Sequence, residues 1–100
     1  MMKLLYVVRP AGDLLEAVRV GIAVSKRAGN AVWRNRVRRL VRESYRNNKS
    51  DLIDHCSAKS VLINLVFIPG GFKKKYHRNL FLSDIEPLVR ELLKKLIDKI

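Results

Sequence analysis

The chain has 100 residues and a formal net charge of +12, set by 21 Lys and Arg against 9 Asp and Glu. That length predicts a single domain over 1–100, and an apolar content of 48% excludes a disordered chain. The charge says nothing about fold, but it points to a polyanionic partner.

Two further bounds follow from composition. Cys56 is the only cysteine, so no internal disulfide can form and a reducing compartment, the cytoplasm, is expected. No apolar run reaches spanning length, and no cleavage pattern follows MMKLLYVV. Neither a membrane span nor a signal peptide is therefore expected. A membrane partner is not expected either, because the sheet should take up the apolar face of any basic amphipathic helix.

In chain order, residues 3–9, KLLYVVR, read as a short apolar strand, and PAGD at 10–13 as a turn. Over 18–26 Val20, Ile22 and Val24 alternate with Arg19, Gly21, Ala23 and Ser25, the period of a half-buried strand. These two strands are expected to form a hairpin. Gly29-Asn30 then breaks the strand, with Asn30 as the N-cap of a helix. Trp33, Val37, Leu40, Val41 and Tyr45 recur at helical spacing, and the helix is expected to end near Asn47-Asn48. Residues 49–58 read as a loop. VLINLVFI at 61–68 is a nearly unbroken apolar run, expected to be a strand covered on both faces. Pro69-Gly70-Gly71 stops it. A last helix follows over 84–100, with Asp84 as N-cap so that Pro87 falls in the first turn. The resulting order, β-β-α-β-α, is an α+β domain with helices packed on a small sheet.

Charge is concentrated. Residues 26–49 carry a net +8 and residues 73–78 a net +4. Arg38, Arg42 and Arg46 stand four residues apart and so stack along one helix face, with Asn35 and Arg39 beside them. A solvated face is usually mixed in sign and rich in lysine. This one is arginine-rich with a single acid, Glu43. Phosphate suits it, because a guanidinium can give two parallel hydrogen bonds to phosphate oxygens. Lys73, Lys74, Lys75 and Arg78 read equally well as a second phosphate contact or as a solvated loop. Trp33, Tyr45 and Phe67 lie on apolar faces and are expected in the core; Tyr6 is open to either reading.

No catalytic site is predicted. Asp54-His55-Cys56 contains triad residue types, but sequence neighbours rarely converge on one reacting atom. His55, His77 and Cys56 lack the spacing of metal ligands, so no metal site is expected. SKRAGN lacks the glycine spacing and the lysine-hydroxyl pair of a phosphate loop.

Residues 19–46, RVGIAVSKRAGNAVWRNRVRRLVRESYR, closely resemble the signature of the bacterial ribonuclease P protein subunit, which runs from a strand ending in SKK through GNAV to RNR and a basic helix. LLYVV, the later apolar strand and the final helix fall in the family's order. The resemblance implies a ribosomal protein S5 domain 2-like fold with a left-handed βαβ crossover. The helix and strand that the family has before LLYVV find no counterpart here, and FKKKYHRN reads as an insertion. It further implies a cofactor of a catalytic RNA that removes the 5′ leader from precursor tRNA. In that picture the RNA uses magnesium ions, and the protein alone binds no cofactor and needs no protein partner. Carried over position by position, Lys26, Asn30, Arg34, Asn35, Arg36, Arg38, Arg39 and Arg42 match the family's RNA-contacting residues, and Tyr6 an aromatic of its leader cleft. Arg27 and Arg46 extend that surface by charge. The alternative is a generic RNA- or ribosome-binding protein without a role in tRNA processing.

Overall fold

A computed structural model describes residues 2–10, 18–70, 72 and 79–100. Its elements in chain order are β1 (Met2–Pro10), β2 (Val18–Ile22), α1 (Ala31–Asn48), α2 (Ser50–Lys59), β3 (Val61–Pro69) and α3 (Leu82–Lys99). The PAGD turn lies mostly outside the described residues, as do Lys73, Lys74, Lys75 and Arg78.

The three strands lie in the order β1-β3-β2. β1 runs antiparallel to β3, with Tyr6 opposite Leu65. β2 runs parallel to β3, with Val20 opposite Leu65. The expected hairpin does not form: β1 and β2 each pair with β3 instead of with each other. The physical reason lies in β3, whose Ile63, Leu65 and Phe67 are the most deeply buried strand residues. A strand that apolar is best held in the centre, where both rows of backbone groups are paired. The connection between the parallel strands then needs helices, which α1 and α2 supply.

The sheet has one covered face. Ile63, Leu65 and Phe67 join Val37, Val41, Tyr45, Leu52, Cys56, Ile85, Val89, Leu93 and Leu96 in one core cluster. The Tyr45 and Phe67 rings meet with centroids 6.2 Å apart and planes tilted by 58°, a geometry that aromatic pairs favour. On the other face Leu62 is buried at one end of β3, but Asn64, Val66 and Ile68 are only half-buried, and Leu5 and Val7 of β1 are 57% and 52% exposed. The nearly unbroken apolar run of β3 therefore marks its central place in the sheet, not full cover on both faces.

Residues 49–58 are not a loop. α2 forms because Leu52 and Cys56, one turn apart, are both fully buried against the core. It ends at Ser60 in the left-handed conformation, φ 54°, whose N–H reaches back to the carbonyls of Cys56 and Ser57. The second strand is also shorter than its alternation predicts. It ends at Ile22, although Ala23 N–H still donates to Phe67 at 2.9 Å. A single 3₁₀ turn, Lys26–Ala28, follows it.

α3 starts earlier than expected, at Leu82. Asp84 is not its N-cap: its carboxylate sits in the first turn and accepts from the N–H of Phe81 at 2.8 Å, where it also meets the positive end of the helix dipole. Pro87 lies inside the helix, and its missing N–H leaves one exposed turn without a rung.

Candidate nucleic-acid interface

The interface begins with two short caps. Ser25 Oγ accepts from Arg27 N–H at 3.1 Å, which tightens the turn carrying Lys26 and Arg27. Asn30 Oδ1 accepts from Trp33 N–H at 2.9 Å and starts α1. Gly29 lies between them because Trp33 is so close: a Cβ there would stand 2.8 Å from Trp33 Cδ1.

Packing then sets the direction of α1. Trp33, Val37, Leu40, Val41, Ser44 and Tyr45 are all buried. The one polar member, Ser44, is satisfied by donating to the Leu40 carbonyl at 2.8 Å. Trp33 Nε1 donates to the Phe72 carbonyl at 3.0 Å. With this stripe in the core, Asn35, Arg39, Arg42 and Arg46 are exposed and Arg38 is half-buried.

The outward residues are organised. Arg38 Nη1 donates to Asn35 Oδ1 at 3.1 Å, leaving the Asn35 amide N–H groups for an outside acceptor. Arg39, Arg42, Glu43 and Arg46 line a shallow groove of about 310 Å³. Arg46 and Glu43 approach only to 3.8 Å, with both side chains well exposed, so the contact neutralises little. Lys26 and Arg27 are exposed at the entrance to the helix. The structure thus brings Lys26, Arg27, Asn30, Asn35, Arg38, Arg39, Arg42 and Arg46 onto the solvent side of one segment.

Two arginines of the RNR stretch behave differently. Arg34 is half-buried, and its Nε is enclosed without a hydrogen-bond partner among the described residues. Arg36 turns toward its own chain, and its Nε donates to the Leu80 carbonyl at 3.0 Å.

Tyr6 lies apart from α1. It is 40% exposed on β1 and lines a small cleft with Leu4, Leu92, Lys95, Leu96 and Lys99. Leu92 and Lys95 continue that cleft into a groove of about 400 Å³ with Met2, Leu88 and Glu91. The two lysines beside Tyr6 are absent from the sequence-based site. Their signal is the four-residue spacing of Lys95 and Lys99, which on its own reads as one edge of a solvated stripe.

The triad residue types do not converge. On α2 Asp54 points to solvent, His55 is half-buried and Cys56 is fully buried. Burial pushes the Cys56 thiol up, which keeps it protonated. Among the described residues no three His, Cys, Asp or Glu side chains gather where a metal ion could be held, and no helix is long and apolar enough to cross a membrane.

The family profile described as Ribonuclease P matches residues 2–96. The chain belongs to the ribonuclease P protein family. A ribonuclease P protein component of Desulforapulum autotrophicum is 34% identical over 86 residues, which is 86% of this chain and 64% of the relative. That of Clostridium novyi is 40% identical over 81 residues, 81% of this chain and 62% of the relative. That of Clostridioides difficile is 60% identical over a shorter stretch of 35 residues, 35% of this chain and 31% of the relative. The chain thus spans less than two thirds of the length of these relatives. No solved structure matches the chain. The ribonuclease P match takes in all three strands and all of α1 and α2, and so the whole basic segment together with Tyr6.

Proposed function

We propose that this chain is the protein subunit of ribonuclease P and assists a catalytic RNA in the endonucleolytic removal of the 5′ leader from precursor tRNA. One observation carries the reading. In a chain of this family, the stripe Trp33, Val37, Leu40, Val41 and Tyr45 is anchored in the core, so Asn35, Arg39, Arg42 and Arg46 face outward together. Such a face suits an RNA backbone, because arginine forks match phosphate oxygens and the repulsion between like charges along the helix is relieved by them. On this reading the chemistry and the magnesium ions belong to the RNA, the partners are ribonuclease P RNA and precursor tRNA, and the protein works in the cytoplasm.

Tyr6 is the second contact in the proposal. Its half-exposed ring offers a sequence-tolerant stacking surface for a leader base, and Lys95 and Lys99 beside it supply charge for the adjoining phosphates. Tyr6→Ala is expected to weaken binding of precursor tRNA to the reconstituted enzyme by about 1–3 kcal/mol while leaving mature tRNA binding unchanged. Equal losses for both would remove Tyr6 from the leader path.

Reconstitution tests the function itself. The chain is mixed with bacterial ribonuclease P RNA and precursor tRNA at low magnesium, and leader release is followed. Faster release than with the RNA alone is expected. Tight RNA binding without faster release favours a generic RNA-binding protein, and absence of binding overturns both readings.

A further inference from the structure

Arg36 sits at the centre of the basic segment, yet its guanidinium is turned inward. Nε and Nη2 both donate to one oxygen, the carbonyl of Leu80, and Leu80 is fully buried. One turn earlier on α1, Trp33 Nε1 donates to the Phe72 carbonyl. At the far end of α1, Asn48 Nδ2 donates to Glu86 Oε1 at 3.1 Å and Arg90 Nε donates to Asn48 Oδ1 at 3.2 Å. Polar bonds therefore tie both ends of α1 to α3 and to the chain that leads into it.

These bonds do something that the apolar stripe cannot. Apolar burial is non-directional and tolerates small rotations of a helix about its axis, whereas hydrogen bonds weaken steeply once their angles are lost. A rotation of about 20° moves a side-chain tip roughly 5–6 Å from the axis by about 2 Å, enough to separate a guanidinium from a phosphate oxygen.

We propose that Arg36 is a positioning residue of the RNA interface and not one of its phosphate ligands: by carrying the Leu80 carbonyl it fixes the rotation of α1, and so sets where Asn35, Arg39 and Arg42 point. This rests on the RNA-binding reading above. A charge-neutral carbonyl holds Arg36 in place without any RNA, so the guanidinium is pre-organised by the protein's own architecture.

The test measures affinity for ribonuclease P RNA across a range of salt concentrations, well below each variant's unfolding midpoint, for Arg36→Gln, Arg36→Lys and Arg39→Gln. A phosphate ligand contributes about 0.9 to the log–log slope, so Arg39→Gln is expected to make the slope shallower by about that amount. Arg36→Gln is expected to keep the wild-type slope and to bind more weakly by one constant factor, roughly 2- to 10-fold. Arg36→Lys, which can still donate one bond to the Leu80 carbonyl, is expected to recover part of the loss. A slope shallower by about 0.9 in Arg36→Gln would establish a direct phosphate contact and overturn the proposal. Wild-type affinity in the folded Arg36→Gln protein would overturn it too, because the bond would then serve stability alone. Failure of the wild-type chain to bind the RNA overturns the functional reading instead, and with it any interface for Arg36 to position.

Discussion

The phenol of Tyr45 is buried against Phe67, and burial, reinforced by the nearby Cys56 thiol, pushes its pKa up to about 12. An unfolded tyrosine ionises near 10. The neutral phenol is thus favoured by folding, so its contribution is complete below about pH 10 and is lost as pH rises toward 12. The loss is on the order of 2–3 kcal/mol, and burial of Cys56 acts in the same direction. Urea unfolding at pH 8 and pH 11 checks this: wild type is expected to lose more stability between the two than Tyr45→Phe, and equal losses would show that Tyr45 does not set the alkaline limit. Gly29 gives a second single-residue prediction. Gly29→Ala places a Cβ against Trp33 and is expected to cost about 1–3 kcal/mol, with a change in the emission of the sole tryptophan. Asn30 was readable as a cap because capping is local, a matter of three residues. The inward turn of Arg36 was not, because its acceptor at Leu80 lies 44 positions away.

At the scale of elements, legibility followed how far each signal had to reach. The stripe on α1 is its own evidence, since six inward residues repeat at helical spacing. α2 has only Leu52 and Cys56 for a stripe, set among Ser, Asp and His residues of modest helix propensity. It is held by the core beneath it, which residues 49–58 do not contain. Strand order is a relation among three segments, so the alternation in β1 and β2 could identify strands but not their neighbour. The end of α2 carries its own test. Ser60 adopts a left-handed conformation, which costs a residue with a Cβ about 1 kcal/mol or more and costs glycine little. Ser60→Gly is therefore expected to stabilise the fold by roughly 0.5–1 kcal/mol, read as a higher urea midpoint at unchanged slope. A lower midpoint would mean that the Ser60 side chain contributes more than its backbone strain removes.

Across the whole molecule, charge is separated from the core and from balanced regions. Residues 79–100 sum to zero while residues 26–49 carry +8, so the field of the protein is dominated by the α1 side and steers a polyanion to that side first. Of the nine cations in that segment, six, Lys26, Arg27, Arg38, Arg39, Arg42 and Arg46, remain for a partner: Arg36 is committed to Leu80, Arg34 is partly enclosed, and Lys49 is half-buried just past the end of α1. If each meets one phosphate, the log–log slope of RNA affinity against salt is about −5. The same crowding has a consequence for the free chain. Like charges at four-residue spacing cost a few tenths of a kcal/mol per pair, and exposed charges are screened as salt rises. Salt should therefore act with opposite signs on the two states: it raises the unfolding midpoint of the free protein while it weakens the complex. Thermal unfolding of the chain alone and with RNA between 50 and 300 mM monovalent salt separates the two effects. The free midpoint is expected to rise, and the extra stability conferred by RNA, which follows the ratio of RNA concentration to Kd, is expected to vanish over the same range. A free midpoint that falls with salt would mean that the arginines of α1 already find counter-charges within the protein, and the argument for an external polyanion would lose its physical basis.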